Sequence, residues 1–344
     1  MSFFKIFRFL FISIGIILNL ILTSCDTTEV PPEEKPPKDP RTYEWTIDTL
    51  KVSFQTYLRR IWGSASNDVY IGGHNAGKPG SLWHFDGSSW SSVELPVITY
   101  DVNGIYGFSS NDVWAVGETA TEVSLILHYD GSKWKDYSTS NGKALLCIWG
   151  STSTDIWAAG TNTLFHFDGT TWKKYSFFIP QQGVHILSIN GLSSSEVYMV
   201  GGRNDAVDPI DTSFYYLYNF NGSQWSVVDS SYVTHYDYVW NFGVIVKAIG
   251  GSMYSASDRM FKKEGNSWMI INDDPLIFSL GGSSTENIFA AGLYGTAYQY
   301  NGIDWEKLTI KEGFQEDIYD VWTDGTEAFM IATDGRSSFV IHGK

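Results

Sequence analysis

The sequence predicts an all-β chain folded as a β-propeller of seven blades, each of four antiparallel strands, and three observations predict it. Asp86-Gly87-Ser88-Ser89-Trp90 recurs as Asp130-Gly131-Ser132-Lys133-Trp134 and Asp168-Gly169-Thr170-Thr171-Trp172. Looser copies follow at Asn221-Gly222-Ser223-Gln224-Trp225, Glu264-Gly265-Asn266-Ser267-Trp268 and Asn301-Gly302-Ile303-Asp304-Trp305. Upstream lies a second repeated motif: Trp62-Gly63-Ser64 leads to Asp68-Val69-Tyr70, Tyr106-Gly107 to Asp112-Val113-Trp114, and Trp149-Gly150-Ser151 to Asp155-Ile156-Trp157. The composition is the third observation. Aromatic residues make up 16% and charged residues 18%, a balance that suits packed sheets and tight turns better than helices.

In chain order, the first element is an export signal over residues 1–24. Lys5 and Arg8 precede an apolar run from Phe9 to Leu22, the order of a charged n-region and an apolar h-region. The run is shorter than the roughly 20 residues a membrane-spanning helix needs. Leu22-Thr23-Ser24-Cys25 then resembles a bacterial lipobox. That resemblance implies cleavage before Cys25 and acyl chains on its thiol, with the membrane as a partner through the lipid anchor. The expected location is the bacterial cell envelope, on an outer membrane, facing the periplasm or the cell surface. Residues 25–42 are the expected linker, with Pro-Pro-Glu-Glu-Lys-Pro-Pro-Lys-Asp-Pro over 31–40 as a semi-rigid spacer.

The propeller is expected over residues 43–344. Within one unit, Leu145-Leu146-Cys147-Ile148-Trp149 is apolar throughout and reads as a first strand buried on both faces. Ser-x-x-Asp makes the next turn, because Ser and Asp side chains bond nearby backbone amides. Asp155-Ile156-Trp157-Ala158-Ala159-Gly160 is the second strand. The third ends in Asp-Gly or Asn-Gly, a signal for a two-residue type I′ hairpin. The Trp then sits on the fourth strand, where its ring can pack between units. The last unit begins at Ile318-Tyr319-Asp320-Val321-Trp322 and reaches Gly343 without a Trp or a fourth strand. Thr42-Tyr43-Glu44-Trp45-Thr46-Ile47 supplies the missing strand, so the N-terminal strand is expected to close the last blade and leave no open sheet edge.

The Asp-Gly-x-x-Trp turn resembles the Asp-box (BNR) of sialidase-like and photosystem-assembly-factor-like propellers. Asp and Gly are adjacent here, and the leading Ser of the box is absent. The resemblance therefore implies the fold and carries no activity with it.

Charge narrows the partners. The chain carries 23 Lys and Arg against 38 Asp and Glu, a net charge of −15. Such a surface repels nucleic acid. His84, His128 and His166 precede the hairpins of three repeats. Set on different blades they cannot share a metal, so they read as polar strand positions.

Departures from the repeat point to a binding face. The connections between strands 2 and 3 and between strands 4 and 1 share one end of a propeller. An insertion holding Arg203, Asp205, Asp208 and Asp211 and a long aromatic connection holding Tyr232, His235, Tyr236, Tyr238 and Trp240 both fall there. Aromatic rings beside carboxylates would anchor a protein or stack on a glycan. No cofactor is called for; the three Asp residues are the set that would hold Ca²⁺ if one binds. No catalytic set is evident. The expected function is a non-catalytic, envelope-anchored module that binds a protein or glycan. The alternatives are a carbohydrate-active hydrolase or lyase using the same face, and an envelope-assembly scaffold.

Overall fold

In the computed structural model the run over 145–149 forms a first strand as expected, but Leu146 and Cys147 are only half-buried, and it is the second strands of the antiparallel sheets that are buried on both faces. Val69, Ile71, Val113, Val116, Ile156 and Ala158 are fully buried there. The structure describes residues 38–344 other than 52–54, 76–79, 122, 141, 178–182, 206–211, 234–237, 240, 258 and 274–276.

The first strand is β1 (Trp45–Leu50). Next come β2 (Thr56–Ala65), β3 (Asp68–Asn75), β4 (Leu82–Phe85) and β5 (Trp90–Ser92), then β6 (Thr99–Ser109), β7 (Asp112–Thr119), β8 (Ser124–Tyr129) and β9 (Trp134–Asp136). One sheet holds β10 (Leu145–Thr152), β11 (Asp155–Gly160), β12 (Thr163–Phe167) and β13 (Trp172–Lys174). Another holds β14 (His185–Ser193), β15 (Glu196–Asp205), β16 (Thr212–Phe220), β17 (Trp225–Val233) and β18 (Tyr238–Val239). Two more hold β19 (Ile245–Ile249), β20 (Ser252–Ala256), β21 (Met260–Glu264) and β22 (Ser267–Asn272), and β23 (Ile277–Ser284), β24 (Asn287–Gly292), β25 (Ala297–Tyr300) and β26 (Trp305–Lys307). β27 (Asp317–Thr323), β28 (Ala328–Thr333) and β29 (Ser338–Gly343) end the chain, and β1 pairs with β29 from Trp45↔Gly343 to Leu50↔Ser338. First strands pack on first strands in sequence: β2 on β6, then β10, β14, β19, β23 and β27, which returns to β2. The fold is an all-β propeller.

The expectation of seven separate four-stranded blades is corrected. Five sheets stand alone as discrete blades: four have four strands, and that of β14–β18 has five. Strands β2 to β9 form one continuous eight-stranded sheet. The join is His74↔Asp101, where the end of β3 pairs with the long β6, and His74 Nδ1 meets Asp101 Oδ1 at 2.7 Å. The fifth strand, β18, comes from the long aromatic connection folding back on β17. Turn signals bound a strand in sequence, but they do not register pairing between neighbouring units, and both departures are of that kind.

Two contacts repeat at the joints between units. The fourth-strand Trp of one unit stands edge-on to a second-strand ring of the unit before. Trp134 meets Tyr70, Trp172 meets Trp114, Trp225 meets Trp157 and Trp268 meets Tyr198, with centroids 5.4 to 6.4 Å apart. Trp90 does the same to Phe329, and Trp45 to Phe289. Edge-to-face pairs of this kind contribute about 0.5–1.5 kcal/mol beyond their buried area. The second contact explains the Trp-Gly dipeptide. A Cβ on Gly107 would lie 2.5 Å from Trp62, one on Gly191 2.8 Å from Trp149, and one on Gly63 2.9 Å from Trp322. Each first-strand ring occupies the space that a side chain on the next unit's glycine would need.

The hairpin expectation also needs correction. Asp86 N–H donates to Ser89 O, which makes Gly87 and Ser88 the central residues. Only the glycine has positive φ, +91°; a type I′ turn requires it at both central positions. The Asp comes before the turn because its Oδ1 accepts from the backbone N–H of Ser88 and Ser89 and from Ser88 Oγ. The Ser-x-x-Asp expectation holds in part. Ser109 and Ser193 accept from backbone amides two residues on. Ser64 and Ser151 instead donate to the carboxylates of Asp68 and Asp155.

These bonds give stability a pH dependence. The Ser88 hydroxyl and the Ser89 and Ser88 amides hold the Asp86 carboxyl down to about 2. Asp130 and Asp168 are held lower still, first by Lys135 and Lys173. A carboxyl depressed in the folded state contributes stability that is full above its unfolded pKa of about 3.9 and is lost as pH falls toward the folded value. The melting temperature is therefore expected to be flat above about pH 5 and to drop between about pH 4 and pH 2. A flat profile down to pH 2 would show that the turns do not contribute. Asp86→Asn is expected to keep the neutral-pH melting temperature, since Asn221 and Asn301 make the same turn bonds.

Candidate functional site

The three histidines each have a carboxylate of their own. His84 Nε2 donates to Asp68 Oδ1 at 2.6 Å, His128 to Asp112 at 2.8 Å and His166 to Asp155 at 2.6 Å. His342 and Glu327 repeat the pair at 2.5 Å. Each ring also stacks on the second-strand aromatic of its own sheet, with centroids 3.9 to 4.3 Å apart: Tyr70, Trp114, Trp157 and Phe329. Burial pulls the Asp68 carboxyl up, but the bonds from His84 and Ser64 together hold it below its ordinary value. The histidines thus tie strand 3 to the start of strand 2 and brace the ring that the next unit's Trp meets.

The upper face, where strand 2–3 loops and strand 4–1 connections meet, holds a different cluster. β2 and β27 each carry a bulge, with register shifts between Leu58 and Arg60 and between Ile318 and Asp320. A bulge leaves one residue unpaired and re-aims its side chain. The extra residues are Arg59 and Tyr319, and they meet. The Arg59 guanidinium lies 3.9 Å from the ring centroid of Tyr57 and 5.5 Å from that of Tyr319. The two tyrosine hydroxyls share a hydrogen bond of 2.9 Å. Burial, then that bond, pushes the Tyr319 hydroxyl up to about 12. Arg59 itself is exposed and has no carboxylate partner among the described residues. Beside it, Arg60 Nε donates to Asn103 O at 2.8 Å.

The cluster extends to both sides. Tyr57 pairs across the ladder with His74, whose ring stands against Tyr100, itself 54% exposed. On the other side Tyr294 is 66% exposed and donates its N–H to Asp317 Oδ1. Its φ of +53° is a conformation that costs a non-glycine residue energy, of the kind found at binding sites.

Of the residues the sequence singled out, Arg203 and Tyr232 are brought together. Both pair with Phe214, so all three lie in one cross-strand row, with Tyr232 37% exposed. Asp205 pairs with Thr212 at the end of β15, and Tyr238 pairs with Val233. Asp208, Asp211, His235, Tyr236 and Trp240 lie outside the described residues, as does Cys25. Arg259, in another strand 2–3 loop, is paired with Asp273 at 2.6 Å. Sequence reasoning did not select Arg59, because no local signal marks a bulge within an apolar strand.

Fold and joints define the chain as a β-propeller. No family model matches it, and no curated protein matches it. Among solved structures it is similar to YCF48 bound to a D1 peptide, over 87% of this chain and 94% of that one, at 12% identity and a TM-score of 0.59. It is also similar to the Cps50 (Swd1) β-propeller domain of Myceliophteria thermophila, over 86% and 99%, at 9% identity and the same TM-score. At such identities the likeness is one of fold. It agrees with the sequence's resemblance to photosystem-assembly-factor-like propellers.

Proposed function

We propose that this chain is a protein-binding propeller, a scaffold or assembly module, that takes a carboxylate-bearing peptide segment on its upper face at Arg59. The observation that carries this is the exposed guanidinium stacked on Tyr57 and Tyr319 without an acid of its own, in a chain of net charge −15. Stacking leaves the N–H edge of Arg free for a bidentate carboxylate. Arg and Tyr are also the residues in which binding energy concentrates at interfaces. A propeller of the same fold has been solved with a peptide bound. Lipobox-like Leu22-Thr23-Ser24-Cys25 supports tethering of the module to the bacterial envelope through acyl chains on Cys25.

The test is capture of envelope proteins by the full chain, followed by affinity measurement on a peptide of the captured partner. Arg59→Ala is expected to weaken binding at least tenfold, about 1.4 kcal/mol or more, with an unchanged melting temperature. Arg259→Ala, on an arginine already paired, is expected to leave affinity unchanged. Equal binding by the wild type and Arg59→Ala would remove Arg59 from the site.

A further inference from the structure

We propose that the cleft between the outer strands of the first two repeats binds a neutral oligosaccharide. This site is separate from the Arg59 face. The cleft has a volume of about 510 Å³, inside the roughly 300–1,000 Å³ of small-ligand sites. One wall is aromatic: Tyr70, Tyr129 and Trp134. Leu95 and Pro96 line it from the connection that follows β5, and Glu94 and Lys133 stand at its rim.

His84 and Ser132 in the lining are already bonded, to Asp68 and Asp130, but other polar atoms here are unused. In two other repeats the second-strand ring bonds the acid two residues before it: Trp114 Nε1 donates to Asp112 at 3.1 Å and the Tyr198 hydroxyl to Glu196 at 3.2 Å, whereas Trp157 Nε1 has no partner among the described residues. Tyr70 has an acid in that position too, but Asp68 is taken by His84 and Ser64. The Tyr70 hydroxyl makes no hydrogen bond among the described residues, although the residue is only 4% exposed. That hydroxyl is open to the cleft, where a ligand hydroxyl could bond to it. The Tyr129 hydroxyl, Trp134 Nε1, the Glu94 carboxylate and the Lys133 ammonium are likewise without a partner among the described residues.

The mixture selects the ligand. Glu94 only accepts, Lys133 only donates, and the phenols do both. The two rim charges are opposite, so a neutral ligand fits. Hydroxyls that donate and accept, on a ring with C–H faces to lie against aromatic side chains, are the chemistry of a sugar. A proline-rich peptide would offer carbonyl acceptors without donors and would leave Glu94 unmatched.

The experiment probes the full chain with a neutral-glycan array, then titrates a bound glycan, with maltose and cellobiose as soluble probes, and a decaproline peptide as competitor. Binding of a neutral glycan is expected, with at least fivefold weaker affinity for Tyr70→Phe and for Glu94→Gln. Both variants are expected to melt with the wild type, since one removes an unbonded hydroxyl and the other changes an exposed side chain. Arg59→Ala is expected to bind the glycan normally. An array without a bound neutral glycan would overturn the proposal, as would affinity unchanged in both variants, or displacement by decaproline.

Discussion

Deleting residues 41–50 from the full chain is expected to abolish the cooperative melting transition or lower its midpoint by at least ~10 °C. β1 covers the whole of β29, residue by residue from Trp45↔Gly343 to Leu50↔Ser338. Without it the N–H and C=O groups of the last strand become an open edge. Tyr43 and Leu50 are buried, and Trp45 and Ile47 pack on the core of the last sheet. At about 1.5–3 kcal/mol for each of these four side chains uncovered, the loss is roughly 6–12 kcal/mol, comparable to the whole stability of a domain. Arg41, bonded to Gln299 and paired with Asp304 and Glu306 on the neighbouring sheet, goes with it. Trp45→Ala alone is expected to cost about 3 kcal/mol. Differential scanning calorimetry reads both. A deletion variant melting within ~2 °C of the intact chain would mean that the N-terminal strand does not hold the ring closed.

Gly107→Val is expected to be strongly destabilising. A Cβ there would sit 2.5 Å from Trp62 Cη2 and 2.8 Å from the backbone oxygen of Asp112. The ring can shift, but the backbone oxygen cannot do so without moving β7, so overpacking at the upper end of about 1–3 kcal/mol is expected. The diagnostic is coupling. Trp62→Leu alone leaves a gap and destabilises; combined with Gly107→Ala it is expected to restore about 1 kcal/mol or more relative to the sum of the single changes, because residues in contact are not additive. Urea unfolding of the four proteins measures it. Strict additivity would show that the close approach of Trp62 to Gly107 does not set the joint.

Much of the fold was legible in the sequence, for a physical reason. The Asp, the Gly and the Trp of each hairpin act within a few residues of one another, so their spacing records the turn. The Trp-Gly dipeptide repeats in the sequence too, but that one unit's ring fills the space of the next unit's missing side chain shows only in the structure. His84, His128 and His166 lie on strands, as read from the sequence. Their carboxylates were not foreseen, because Asp68 and His84 lie 16 residues apart and meet only when strands 2 and 3 are paired.

The sequence by itself determined that the chain is a ring of antiparallel sheets, that the fourth-strand Trp packs between units, and that the first strand pairs with the last. Those are consequences of side-chain alternation and of repeated motifs, which survive in one dimension. Only the tertiary structure decided that β3 runs into β6 to make one eight-stranded sheet, that the bulges at Arg59 and Tyr319 turn a cation onto two tyrosine rings, and that Tyr70 is left without the partner that Trp114 and Tyr198 have. Each depends on which strand end meets which neighbour, and a bulge or an occupied carboxylate is set by that meeting rather than by the residues beside it in the chain.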